Sequence, residues 1–423
     1  MLFTNILRAL DIRHASEAVR TQVDGSLRGR ADEAQKPTHL ITFGKAAVPM
    51  AEWFLDARDF QVVDGVVSAP DCQGYSWPGI RCFRGGHPVP NDASVRAGEM
   101  ALNIARTATE DHVVVFLISG GGSALLEAPV DPTISLRDLQ HLNDALVTCG
   151  AGIVEINVVR KHLSAVKGGR LAAAAFPAGQ LTLYVSDVPE GQDSSVASGP
   201  TMPDDSTLDD LRRIIARHNL ETQLPDSVRS LLHNPTLPET PKPGDRCFAA
   251  SKWICVLANR HAIDAAGRFT EKQGWQTTVD TSVDDMDVGV AASRLLDRLR
   301  CLQDAERGKP VCVISGGELS SPVRGDGVGG RNQAFVLECV RRIAGERIAV
   351  LSAGTDGIDG NSPAAGAVAD GTTLERARSL RMDPADCLAR SDSHTFFKLL
   401  DDDITCGPTQ NNVRDIRVLV SWP

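Results

Sequence analysis

Short apolar runs closed by glycine or serine alternate along the chain with longer segments whose apolar residues recur at helical spacing. The runs at residues 39–43, 62–67, 113–118, 181–185, 254–258, 311–314 and 348–351 read as buried strands. Between them, residues 46–57, 92–107, 136–149, 156–175, 205–218, 260–273, 288–300 and 332–345 read as helices. Strands alternating with helices predict an α/β fold with mostly parallel sheets flanked by helices.

The 423 residues exceed one ordinary domain. Pro235, Pro238, Pro241 and Pro243 crowd residues 233–246, a density that neither a helix nor a central strand tolerates. This segment is expected to link an N-terminal domain, 1–240, to a C-terminal domain, 247–423.

A net charge of −10 gives no basic surface to replace the counterions of nucleic acid or an anionic membrane, so neither is expected as a partner. The ten cysteines form no CxxC pair or zinc spacing, and Cys312 sits inside an apolar run, which fits reduced thiols in a cytoplasmic protein. Arg8 and Asp11 interrupt the apolar start, so no signal peptide is expected, and no uncharged apolar run is long enough to span a membrane.

Ligands of open α/β sheets bind beyond the carboxyl ends of the strands, so the residues after each run are the candidates. Gly44 and Lys45 follow the first run; Ser119, Gly120, Gly121, Gly122 and Ser123 follow another, and Asp187 another. Ser315, Gly316, Gly317 and Glu318 repeat the serine–glycine pattern near the C-terminus, and Asp356 follows residues 348–351. Glycines let backbone amides approach an anion, so the two runs read as phosphate cradles, and Lys45 as a point charge for phosphate oxygens. Asn157, Arg160, Lys161, Ser164, Lys167 and Arg170 form a basic helical stripe, either a solvated face or a guide for an anionic substrate. His87 sits in a rigid Gly-Gly-His-Pro loop. Asp187, Glu318 and Asp356 are candidates for Mg²⁺ or for taking a hydroxyl proton. Gly325, Gly327 and Gly330 have GxGxxG spacing, but about ten residues separate them from the preceding run, where a dinucleotide fingerprint needs an immediate turn.

Together these stretches resemble the glycerate 2-kinase (MOFRL) family, whose members are often labelled hydroxypyruvate reductases. The resemblance rests on Gly44-Lys45-Ala46-Ala47, Gly85-Gly86-His87-Pro88, Ser119 to Leu126, Arg160 to Ser164 with Lys167 to Arg170, Ala197 to Thr201, Ser315 to Glu318, Gly329 to Gln333, Ala353 to Gly360 and Gly407-Pro408-Thr409. It implies a Rossmann-like N-terminal domain, a smaller C-terminal α/β domain and an active site in the cleft between them. It further implies ATP- and Mg²⁺-dependent phosphorylation of the 2-hydroxyl of D-glycerate, in a cytoplasmic enzyme that can form a homodimer. The implied catalytic set is Lys45, Arg331 and Asp187, with Asn332 among the phosphate-binding groups. The chain departs from the family pattern at Glu190 and Gly191, Val328, Ala334, Asn361, Pro363, Gln410 and Asn411. The alternatives are an NAD(P)H-dependent hydroxypyruvate reductase, and a silent or substrate-shifted member that still binds nucleotide or hydroxy acid.

Overall fold

The computed structural model describes residues 1–14, 21, 23, 25, 36–56 and 61–423. Twelve strands are described: β1 Thr38–Phe43, β2 Val62–Ala69, β3 Ile80–Arg84, β4 Val113–Ile118, β5 Gly179–Val185, β6 Ser251–Leu257, β7 Gln276–Val279, β8 Val311–Gly317, β9 Ile348–Gly354, β10 Gly366–Asp370, β11 Asp403–Ile404 and β12 Asp415–Ser421. They form two six-stranded sheets.

The first sheet has the order β3-β2-β1-β4-β5-β6, with parallel pairing from β3 through β5. This is the doubly wound arrangement, whose strand order reverses between β1 and β4. Every residue of β4 is buried, because a central parallel strand covered on both faces needs a continuous apolar run. Helices Ala47–Asp56, Asp92–Thr107 and Arg170–Ala175 contribute buried side chains to this unit. A satellite core forms from helices Leu136–Thr148, Ile153–His162, Leu208–Arg217 and Asp226–Leu232.

The second sheet has the order β11-β10-β9-β12-β8-β7. β7, β8, β9 and β11 run one way, while β10 and β12, both unforeseen from the sequence pattern, run the other. Helices Asn259–Lys272, Val288–Ala305 and Arg331–Arg342 flank it.

All seven expected strands and most of the expected helices are present. One helix differs: residues 156–175 form two helices, Ile153–His162 and Arg170–Ala175. Gly168 and Gly169, at φ 56° and 80°, end the continuity. The last residue of the expected helix 46–57, Ala57, lies outside the described residues.

The chain divides into two compact units, Ala15–Val256 and Met1–His14 with Leu257–Pro423. The proline-rich segment 233–246 therefore lies inside the larger unit, where Asp204 N donates to Pro241 O and Thr240 Oγ1 donates to Asp204. The first helix, Leu2–Ala9, buries Phe3 and Ile6 and packs on Asn259–Lys272 of the same, smaller unit. Among the described residues no helix is long and apolar enough to cross a membrane.

Candidate active site

The loops after β1, β3, β4 and β5 converge where the strand order of the first sheet reverses. Lys45 N donates to Gly120 O at 2.8 Å, and Ser119 Oγ accepts from Ala46 N at 2.9 Å, which ties the β1 loop to the β4 loop. A methyl group on Gly120 would lie 2.1 Å from Asp187 Oδ2, beyond β5. One on Gly121 would lie 2.9 Å from His87 Cδ2 and 3.2 Å from Lys45 Cγ. Glycine at these positions is what lets a lysine, an imidazole and a carboxylate crowd one turn. Among the described residues neither the Gly120 nor the Gly121 amide has a hydrogen-bonded acceptor, so both remain available to an anion. Burial, and then the charge of Lys45, hold His87 below the usual imidazole range, so its ring is neutral at pH 7.

A cavity of about 340 Å³ opens beside this turn, lined by residues of the larger unit alone. His87, Gly121, Ser123, Glu127, Asn143, Asn157, Arg160, Ser164 and Asp187 give it a polar wall. Leu139, Leu142, Leu146, Ile153, Leu163 and Val188 give it an apolar one. Ser123 Oγ meets Ser198 Oγ at 2.7 Å, and Ser198 Oγ donates to Asn157 Oδ1 at 3.1 Å. Ala197, which lines the cavity, and Ser198 hold φ of 49° and 62°, left-handed values that non-glycine residues adopt at a cost and that concentrate at functional sites.

The predicted residues thus divide. Lys45, His87, Gly120, Gly121, Ser123, Arg160 and Asp187 come together. Ser119 is buried and bonded to Ala46 N, and Gly122 is packed between Phe43 and Ala197, so both shape the loop from behind. Lys167 is fully buried and paired to Glu127. The basic stripe is no solvated face: Lys161 pairs with buried Asp204, and Arg170 Nη2 donates to Pro238 O at 2.8 Å.

In the other unit the second serine–glycine turn is closed. Gly317 N donates to Asn259 Oδ1 at 3.1 Å and Glu318 N to Asp284 Oδ1 at 2.9 Å. Arg417, entirely buried, donates to the carbonyls of Gly316 and Gly317 at 2.6 and 2.7 Å. Gly317 N and the carbonyls of Gly316 and Gly317 therefore already face protein partners. Asn332 is likewise committed, donating to Asp359 Oδ1 and accepting from Ser352 Oγ. Arg331 pairs with Asp415 at 2.6 Å and Glu318 at 2.8 Å.

Asp187 belongs to one unit and Glu318 and Asp356 to the other, Glu318 being paired to Arg331. No group of three candidate ligands occurs among the described residues. The GxGxxG stretch also lacks its context: Gly325 and Gly327 pack on the carbonyl of Arg390, and only Gly330 directly precedes a helix.

Sequence reasoning missed Glu127 and Asn143, and it named Ser198 only within the Ala197 to Thr201 motif. Glu127 had a signal, a lone charge inside the apolar Leu125-Leu126-Glu127-Ala128 run. Asn143 had none beyond its place on an otherwise apolar helix face.

Residues 2–233 match the domain of unknown function DUF4147, and residues 311–415 match the MOFRL family. The chain is 33% identical to a D-glycerate 2-kinase of Thermotoga maritima over 415 residues, covering 95% of this chain and 96% of that one. It is 37% identical over 392 residues to a putative hydroxypyruvate reductase of Agrobacterium vitis, covering 90% and 98%. A crystal structure of glycerate kinase from Thermotoga maritima superposes with a TM-score of 0.85 at 30% identity, covering 99% of this chain and 97% of that one. With the family matches, the full-length identity and the shared architecture in agreement, the chain belongs to the glycerate 2-kinase family.

Proposed function

We propose that this chain is a glycerate 2-kinase, moving the terminal phosphoryl group of ATP to the 2-hydroxyl of D-glycerate. One observation carries the reading: Lys45, the unbonded Gly120 and Gly121 amides, neutral His87 and Asp187 meet at the reversal point of a doubly wound sheet, beside a cavity that Arg160 also lines. Phosphoryl transfer asks a protein mainly for positioning and for charge neutralisation at the moving group. Lys45 and the two amides supply that neutralisation. Asp187 accepts the proton of the attacking hydroxyl, and His87, neutral, hydrogen-bonds the substrate without adding charge. The ten free cysteines fit a cytoplasmic location.

The test is nucleotide-dependent product formation. Purified protein with Mg²⁺, ATP and D-glycerate is expected to release ADP, with the phosphorus NMR spectrum of the product reporting an ester at carbon 2. No ADP release under conditions where a known family member turns over sinks the proposal. An ester at carbon 3 corrects the regiochemistry.

A further inference from the structure

In the polar wall of the cavity the Glu127 carboxylate is taken up from behind by a lysine, and the guanidinium of Arg160 has no carboxylate bonded to it. Lys167 is fully buried and donates from Nζ to Glu127 Oε2. The other oxygen of Glu127, itself buried, accepts the Ser164 hydroxyl at 2.6 Å and the Ala128 amide at 2.9 Å. Lysine, hydroxyl and amide together occupy this carboxylate, and Lys167 does not reach the cavity lining. Arg160 does. Its Nη2 donates to Asn143 Oδ1 at 2.5 Å, a neutral acceptor, and among the described residues its Nε and Nη1 have no acceptor. Glu127 attracts the guanidinium at a distance without bonding it.

A guanidinium with donors to spare in the polar wall of a cavity suits an anion with two coplanar oxygens. We propose that Arg160 anchors the carboxylate of the acceptor acid, the charge of Glu127 being taken up by Lys167 so that the charge of Arg160 stays available. The identity of the acid rests on the kinase reading above. In a 2-hydroxy acid the hydroxyl sits one carbon from the carboxylate, so an anchor at Arg160 sets the hydroxyl's place within the cavity that Asp187 and Gly121 also line. The cavity would then select 2-hydroxy acids over neutral polyols by charge.

Titration calorimetry of the full-length protein with D-glycerate and with D-glyceramide, the neutral amide of the same skeleton, reads this directly. The wild-type protein is expected to bind glycerate about 10- to 100-fold more tightly than glyceramide, the usual size of a charge-assisted contact. Arg160→Gln is expected to erase that preference by weakening glycerate alone. The double variant Glu127→Gln/Lys167→Met, which neutralises the internal pair, is expected to keep the preference within about threefold. Equal affinity of the wild-type protein for both compounds, which needs no variant to fold, overturns the proposal. So does equal weakening of both compounds by Arg160→Gln, or loss of the preference in the double variant. Turnover measured on the same samples separates the two readings. Glycerate bound in an Arg160-dependent way but never phosphorylated removes the kinase reading and keeps the anchor, whereas phosphorylation indifferent to Arg160 does the reverse.

Discussion

Gly120 and Gly316 follow serines at the ends of β4 and β8, yet an added methyl group meets different neighbours at each. At Gly120 it would lie 2.1 Å from the carboxylate oxygen of Asp187, which lines the cavity. At Gly316 it would lie 1.8 Å from Oδ1 of Asn259, whose amide group holds the carbonyls of Val413 and Asp415 at 2.8 and 2.9 Å. Gly120→Ala is therefore expected to lower kcat at least about tenfold by displacing Asp187, with little change in melting temperature. Gly316→Ala should instead cost about 1–3 kcal/mol of stability in urea unfolding, while the protein that remains folded keeps its turnover. The reverse pattern would show that the β8 turn, and not the β4 turn, faces the chemistry. The serine–glycine runs were legible as close-approach sites from the sequence. What approaches each was not, because Asp187 and His87 in one unit, and Asn259 and Asp284 in the other, come from distant parts of the chain.

At the scale of elements, apolar runs were readable and charged ones were not. β4 announces itself because it is uninterrupted, and it is wholly buried. β12 lies between β8 and β9 but opens Asp415-Ile416-Arg417, and a fully buried arginine in a central strand mimics a surface segment in any hydropathy pattern. The proline-rich segment misled in the same way, since its order comes from polar contacts. Glu239 accepts from His162 Nε2 at 2.9 Å, Leu208 N at 3.0 Å, Thr240 N at 2.9 Å and Lys242 Nζ at 3.1 Å, clipping the segment to helix Leu208–Arg217. Partial burial alone would raise this carboxyl, but the donors outweigh it and push it down to about 2. A depressed carboxyl adds stability above its unfolded value, and that stability is lost as pH falls from about 4.5 towards about 2. Glu239→Gln should therefore flatten the pH dependence of the urea midpoint in that window and lower the midpoint at neutral pH. Identical slopes for the two proteins would mean that other carboxylates carry the acid response.

For the whole molecule, the larger compact unit extends beyond the proline-rich segment. The prolines suggested a boundary near residue 240, yet the larger unit keeps β6 as the sixth strand of its sheet and runs to Val256. No local pattern reveals this, because a strand's membership is decided by the partner it pairs with. The first helix carries the sharper consequence. Phe3, Ile6 and Leu10 are buried, Leu2–Ala9 packs on Asn259–Lys272, and Asn411 Nδ2 donates to Leu10 O at 2.7 Å, so the start of the chain completes a unit whose remainder begins at Leu257. A variant lacking residues 2–10 loses these contacts, while the strands that carry Lys45 and the Ser-Gly-Gly loop belong to the other unit. Hydrogen-exchange mass spectrometry should then find faster exchange in helix Asn259–Lys272 and around Asn411, with protection of β1 and β4 unchanged. Uniform acceleration across both sheets would show that the two units unfold as one cooperative body, and unchanged exchange in Asn259–Lys272 would show that the first helix contributes no stability there.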